Sequence, residues 1–169
     1  MKNIKDKQVG FSLLELMITI SIVVILTVIA TPSLTEIIEK NKIKTAANSM
    51  NNGIQVARSE AIKRNTSVKF NLANSQWNVT SGDEIIALSQ AEIGSTVEQA
   101  TLPTGANSLT FNNVGMLSLD PDGLANITRI ILSSPKTEYK LWVTLSNSGA
   151  SRVCNPDEET LNTSIIGCI

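Results

Sequence analysis

Residues 10 to 31 read GFSLLELMITISIVVILTVIAT, a glycine and a phenylalanine followed by an almost unbroken apolar run. At about twenty residues the run is long enough to cross a bilayer as one helix. One acid, Glu15, interrupts it. A carboxylate at hydrocarbon depth costs a few kcal/mol on insertion scales, so something in the finished assembly must offset it. Ahead of Phe11 lies the leader MKNIKDKQVG, which sets Lys2, Lys5 and Lys7 against Asp6. Positive charge on this side predicts that the N-terminus stays in the cytoplasm and that everything after the run is exported. An ordinary secretory signal has a shorter apolar core with a small-residue cleavage site behind it. Here the small residue, Gly10, comes before the run. A cut after Gly10 would remove the lysines, leave the helix in place and create a new amine on Phe11, four residues from Glu15.

The string Gly10-Phe11-Ser12-Leu13-Leu14-Glu15-Leu16 resembles the class III signal of type IV pilins and type II secretion pseudopilins. The resemblance implies cleavage between Gly10 and Phe11 by a prepilin peptidase, with N-methylation of Phe11. It also implies an assembly role for Glu15, whose carboxylate would pair with the N-terminal amine of a neighbouring subunit. That pairing is physically reasonable, because opposite charges attract strongly in low dielectric where each alone is costly. A plain signal anchor with a stray acid accounts for the apolar run. It does not account for Gly, Phe and Glu at this spacing behind a short basic leader.

The remaining composition fits a small exported protein. At 169 residues the prior is one globular unit. Beyond the leader 11 basic and 14 acidic residues remain, a balance that argues against wholesale coating of nucleic acid. Histidine is absent, so a zinc site or a histidine-based triad has no material. No metal or cofactor is expected. Cys154 and Cys168 lie near the C-terminus, and in an oxidising periplasm they are expected to pair and pin the tail. Closing such a loop is worth about 3 kcal/mol in the chain-entropy model. The alternative, a reactive or metal-binding pair, finds no Cys-x-x-Cys spacing or histidine to support it.

Past the run, Pro32 predicts a kink rather than a stop. Helical patterning resumes with Ile37, Ile38, Ile43, Ala47, Met50, Ile54, Ala57 and Ala61, whose later steps lay one apolar stripe. Glu39, Lys40, Lys44, Asn48, Asn51, Asn52 and Gln55 are assigned to the solvent face. Gly53 costs about 1 kcal/mol there relative to alanine. The helix is expected from Phe11 to about Asn65. Short strands then follow at Ser67–Leu72, Gln76–Thr80, Glu84–Leu88, Ser108–Asn112, Gly115–Leu119, Ile127–Ser133 and Tyr139–Leu145, with a longer loop around Ala91–Ala106. The fold class is α+β, a long N-terminal helix packed on an antiparallel β domain of six or seven strands. Asp120-Pro121-Asp122-Gly123 reads as a type I turn. As a calcium loop it would place Ser118 first and Arg129 last, wrong at both ends.

Ala57-Arg58-Ser59-Glu60-Ala61-Ile62-Lys63-Arg64 is similar to the helix end of FimT and GspH minor pilins, closer to FimT. Read bottom-up it is an amphipathic helix terminus, with Lys63 and Arg64 at the negative end of the helix dipole and no assigned role for Arg58. With the membrane segment, the resemblance covers the N-terminal third of the chain. It divides the chain into a leader (1–10), a transmembrane and assembly helix (11–31), its amphipathic continuation (32–65) and a periplasmic β domain with a C-terminal tail (66–169). The implied protein is a single-pass inner-membrane minor pilin with its C-terminal domain in the periplasm. Its partners would be the prepilin peptidase, other pilins or pseudopilins and the inner-membrane assembly platform. DNA is a further candidate partner, because some FimT proteins carry a basic Gly-Arg-x-Arg stretch before a cysteine that contributes to DNA binding in transformation. Here Gly149-Ala150-Ser151-Arg152-Val153-Cys154 keeps Arg152 and has Ala150 at the first arginine. Asp157, Glu158 and Glu159 follow, and one arginine supplies little of the phosphate neutralisation that DNA binding needs. Arg129, Lys136 and Lys140 join it only if the fold brings them together. A structural arginine beside the disulfide is the competing reading. The alternative function is a GspH-like minor pseudopilin of a type II secretion system. A membrane-anchored periplasmic hydrolase is a weaker one, left without histidine to Ser-Lys or carboxylate chemistry.

Overall fold

The computed structural model describes residues 11–73, 76–89, 96–120, 123, 125–157 and 168, without the side chains of 29–32. The chain divides into two compact units at Ile37/Ile38. The first carries the apolar half of helix α1 (Leu13–Arg64). There every large apolar side chain from Phe11 to Val28 is more than half exposed. Three hydroxyls of this stretch bond inward: Thr19 donates to Leu16 O at 2.8 Å, Ser21 to Met17 O at 2.7 Å and Thr27 to Val24 O at 2.8 Å. Hydroxyls satisfied on their own helix present no unpaired group to an apolar surrounding. Helical backbone continues through Pro32, so the proline is no stop. Taken singly, neither described stretch is long and apolar enough to cross a membrane. Leu13–Val28 and Ser33–Arg64 meet that test by length and composition as a pair.

In the second unit α1 packs on two antiparallel sheets. One runs β3-β2-β1-β5-β6, from β1 (Val68–Ala73), β2 (Gln76–Ser81), β3 (Glu84–Leu88), β5 (Ser108–Phe111) and β6 (Leu117–Ser118). The other runs β4-β7-β8-β9, from β4 (Glu98–Leu102), β7 (Arg129–Ser134), β8 (Thr137–Leu145) and β9 (Ser151–Cys154). The helix stripe is buried as its spacing predicts, with Ile43, Ala47, Met50, Ile54, Ala57 and Ala61 all inaccessible. Facing it are Phe70, Val79, Leu109 and Phe111 from one sheet and Ile130, Leu132, Leu141 and Val143 from the other. Ile37 and Ile38 remain exposed, so the buried stripe begins at Ile43.

Asn65 ends the helix at φ 51°. Its N–H returns to Ile62 O at 3.3 Å and that of Thr66 to Ala61 O at 3.2 Å, the Schellman pair of bonds with asparagine in the left-handed position. The structure adds two strands to those expected. β4 falls within the expected Ala91–Ala106 loop and pairs with β7, from Glu98 opposite Ser133 to Leu102 opposite Arg129. β9 pairs with β8. Both are polar edge strands without the apolar alternation that marks a strand in sequence, and their partners define them. The expected Gly115–Leu119 strand shrinks to Leu117–Ser118.

The Asp120 turn closes through Gly123 N–H to Asp120 O at 2.9 Å. Its carboxylate is buried on the outer side of the first sheet, where Lys69 Nζ lies at 3.0 Å and Ser108 donates at 3.1 Å. Lysine and serine satisfy the acid, as the turn reading requires.

Candidate functional site

Of the residues assigned to processing and assembly, Gly10 lies outside the described residues. Phe11 is 84 % exposed, and Glu15 occupies the first turn of α1 with an exposed side chain. A carboxylate there also sits favourably at the positive end of the helix dipole. Around it Leu13, Leu14, Leu16 and Met17 are all exposed, so the acid stands in an apolar surface that this unit does not cover.

The structure joins Cys154 and Cys168 in a disulfide, with Cα atoms 5.4 Å apart. Cys154 closes β9 and is fully buried, so the bond fastens the chain terminus to the edge of the second sheet.

Arg152, also on β9, is exposed, and register decides its company. It stands opposite Thr144 of β8, and Thr144 stands opposite Arg129 of β7. The two arginines therefore share one sheet face, two strands apart, about 10 Å at ordinary strand spacing. Lys140 lies on that face too, two pleats along β8 from Thr144. Between them is Trp142, with the Arg129 guanidinium 4.2 Å from its ring centre, a cation–π contact. Lys136 is in the β7–β8 turn instead. The fold thus brings Arg129 and Lys140 to Arg152 and leaves Lys136 apart.

Arg58, without a role in sequence, is a clamp. Its Nε donates to Gly115 O at 3.0 Å and a terminal nitrogen to Ser148 O at 3.4 Å, tying α1 to the β5–β6 and β8–β9 turns. Arg64 pairs with Glu60 at 2.8 Å and with Glu84 of β3 at 2.7 Å, in addition to its place at the helix end.

Glu39 corrects the sequence reading. Assigned to solvent, it is only 2 % exposed. Its carboxylate accepts from Thr96 Oγ1 at 2.7 Å and Ser134 Oγ at 3.2 Å, and from Lys42 Nζ at 2.9 Å. The Thr96 hydroxyl, then the Lys42 ammonium, hold its pKa down at about 2 against the opposing effect of burial. Neither partner could be foreseen, since Thr96 and Ser134 lie 57 and 95 residues away.

Asn71, Gln76, Trp77, Asn78, Ile85 and Leu88 line a neutral cleft of about 240 Å³ at the end of the first sheet. Among the described residues no His, Cys, Asp and Glu cluster has metal-binding geometry.

Comparison with known proteins places this architecture. A family model for the type II transport protein GspH matches residues 46–149, and one for the prokaryotic N-terminal methylation motif matches residues 5–31. The comparison with curated proteins returned no match. Among solved structures, the type IV minor pilin FimU of Pseudomonas aeruginosa aligns with TM-score 0.55 at 19% identity, over 70% of this chain and 96% of FimU. The minor pseudopilin EpsH of the Vibrio cholerae type 2 secretion system aligns with TM-score 0.49 at 15% identity, over 69% of this chain and 99% of EpsH. The FimU alignment is a likeness of fold, a long helix on antiparallel sheets. The family-model match covers more than half of the chain, and the chain belongs to the GspH family, with a type IV pilin-like fold and an N-terminal methylation motif.

Proposed function

We propose that the chain is a minor pilin-type structural subunit. It enters the inner membrane through residues 11–31 with its β domain in the periplasm, is cut by prepilin peptidase between Gly10 and Phe11, and is methylated on Phe11. It then joins other pilins or pseudopilins on the assembly platform by helix packing, with Glu15 pairing to a neighbour's terminal amine. One observation carries this reading. The methylation motif leads into a helix whose apolar side chains are exposed on every side, a surface suited first to lipid and then to like helices. The test is N-terminal sequencing and mass measurement of the chain made beside a prepilin peptidase. A mature chain starting at methylated Phe11 is expected, and any other start, or an uncut leader, would overturn it.

Whether the filament is a pilus or a secretion pseudopilus is decided by deletion in the native host, scoring piliation against export. The matched family's name supports the secretion arm, and the FimT-like helix end supports the pilus arm.

DNA binding is a second reading, favoured by the register that puts Arg129 and Arg152 on one sheet face, two strands apart, with Lys140 on the same face. Mobility shifts with the full chain in detergent, at two salt concentrations, should show salt-sensitive binding weakened by both Arg152→Ala and Arg129→Ala. No shift at low salt removes DNA from the account.

A further inference from the structure

Ile62, Val114 and Met116 each leave about half of their surface or more in solvent. They form one apolar knob: Val114 and Met116 flank Gly115, and a Cβ at Gly115 would lie 2.7 Å from Ile62 Cδ1. The β5–β6 turn that carries them is closed by its own hydrogen bonds. Asn112 Oδ1 accepts from the Val114 N–H at 3.1 Å and from the Met116 N–H at 3.0 Å. The Gly115 N–H donates to Asn112 O at 2.9 Å, and Gly115 O receives Arg58. With these backbone groups satisfied and held, what the turn offers outward is apolar side chain, preorganised for contact.

The charges at this end of the unit are engaged elsewhere. Glu60 pairs with Lys63 and Arg64, and Arg64 also pairs with Glu84. Arg58 is spent on two carbonyls. Asp83 stands in the β2–β3 turn, with β1 between it and the knob.

The opposite end of the same sheet carries a recess of matching character. There β3 holds one residue more than β2: Ile85 stands opposite Thr80 and Leu88 opposite Asn78. This bulge turns both Ile85 and Leu88 to the face that carries Asn71 and Asn78, where they are exposed along the 240 Å³ cleft. Among the described residues no charged side chain lines it. The charged residues of β1 and β3, Lys69 and Glu84, are paired with Asp120 and Arg64. Small-molecule sites usually enclose about 300–1,000 Å³, whereas a cavity of about 150 Å³ already takes benzene. The cleft is therefore sized for one or two apolar side chains.

Knob and cleft are set along one direction. β1 runs from one to the other, with Val68 opposite Phe111 and Ala73 opposite Gln76, about 17 Å in five steps. On α1 the cleft end is marked by Gly53 against Trp77 and the knob end by Ile62 against Gly115, about 14 Å further toward the helix C-terminus. A copy placed ahead along α1 thus brings its cleft to the knob of the copy behind. Because the two surfaces differ, such a contact repeats without closing.

We propose that the knob of Val114 and Met116 seats in the cleft of Ile85 and Leu88 on a second copy of this chain, head to tail along α1. The contact needs neither membrane nor processing, so it stands apart from the function proposed above. It is tested with the full chain in detergent, joining Leu88→Cys in one copy to Met116→Cys in another with a short bis-maleimide. The chain's own two cysteines are already bonded to each other. Only the mixture of the two variants should give a cross-linked dimer. A chain carrying both changes should give a ladder, since the two sites of one copy are too far apart for the reagent. Val114→Asp beside Met116→Cys should lower the yield about tenfold or more, because an unpaired carboxylate resists burial. Ile85→Cys with Val114→Cys repeats the test at independent positions. Cross-linking no greater than with the exposed Glu138→Cys in place of Leu88→Cys overturns the contact, as does a product from Met116→Cys alone. A doubly substituted chain that stops at the dimer overturns the head-to-tail arrangement.

Discussion

The indole of Trp77 lies against Gly53: a Cβ at Gly53 would stand 2.7 to 2.8 Å from three atoms of the ring. Trp77 is fixed there by its Nε1–H, which donates to Ser49 Oγ at 3.1 Å, and by stacking on Phe70 at 5.9 Å between centres. The glycine that looks like a defect in the helix is the floor on which this sheet packs. Gly53→Ala removes a helix penalty of about 1 kcal/mol. It adds overpacking of about 1–3 kcal/mol, so a net loss of about 1 kcal/mol is expected in urea denaturation. With Trp77→Ala already in place the sign should reverse, because only the propensity gain remains. A stabilised single variant would mean that the ring gives way freely.

Gly149 meets a harder obstacle. It sits at φ +80°, and a Cβ there would come within 2.2 Å of the Gly115 carbonyl oxygen, the group to which Arg58 donates. Backbone strain of about 1–3 kcal/mol is expected from Gly149→Ala on conformation alone. The collision would also push the β8–β9 turn off the helix end. Thermal denaturation should show the loss, and hydrogen exchange at Leu117, whose N–H bonds Asn147 O at 3.3 Å, should accelerate. Unchanged exchange there would indicate that the two turns move independently.

The legible parts of this chain were those with a local period or a local covalent logic. The apolar run, the Ile43–Ala61 stripe and most strand positions follow from spacing alone. What stayed hidden depends on residues far away in sequence. Glu39 has the helical position of a solvent residue, and its hydroxyl partners, Thr96 and Ser134 at the end of β7, lie 57 and 95 residues away. β4 carries Glu98, Gln99 and Thr101 and becomes a strand because β7 offers an edge. The alignment of Arg152 with Arg129 is a matter of register across three strands, which no pattern in either segment records. Gly53 was visible as a cost, but its benefit lay in Trp77.

Glu39 makes stability depend on acid. Its pKa falls from the usual 4.5 to about 2 in the folded chain, through the Thr96 hydroxyl first and Lys42 next. A carboxylate with a depressed folded pKa stabilises above its unfolded value and loses that contribution as pH drops toward the folded one. Urea denaturation of wild type and Glu39→Gln should therefore differ most at neutral pH, with the variant weaker. The gap should close between about pH 4.5 and pH 2. A gap that stays constant over this range would mean that glutamine loses packing or geometry, and not a charge.

Glu15 stands exposed among Leu13, Leu14, Leu16 and Met17 in the first turn of α1. Replacing it separates two steps that share the same helix. Glu15→Val removes a group that costs a few kcal/mol at hydrocarbon depth, so insertion should be undiminished or easier. Leader cleavage after Gly10 should continue as well. Assembly should fail, because the amine of a neighbouring Phe11 would be left in low dielectric without its counter-charge. Membrane fractionation should thus find the variant inserted and processed, while sheared filaments, or export by a secretion machine, are reduced at least tenfold, roughly the effect of losing one to two kcal/mol per contact. Filaments or export at the wild-type level would remove the carboxylate from assembly, and the exposed apolar helix alone would have to drive it.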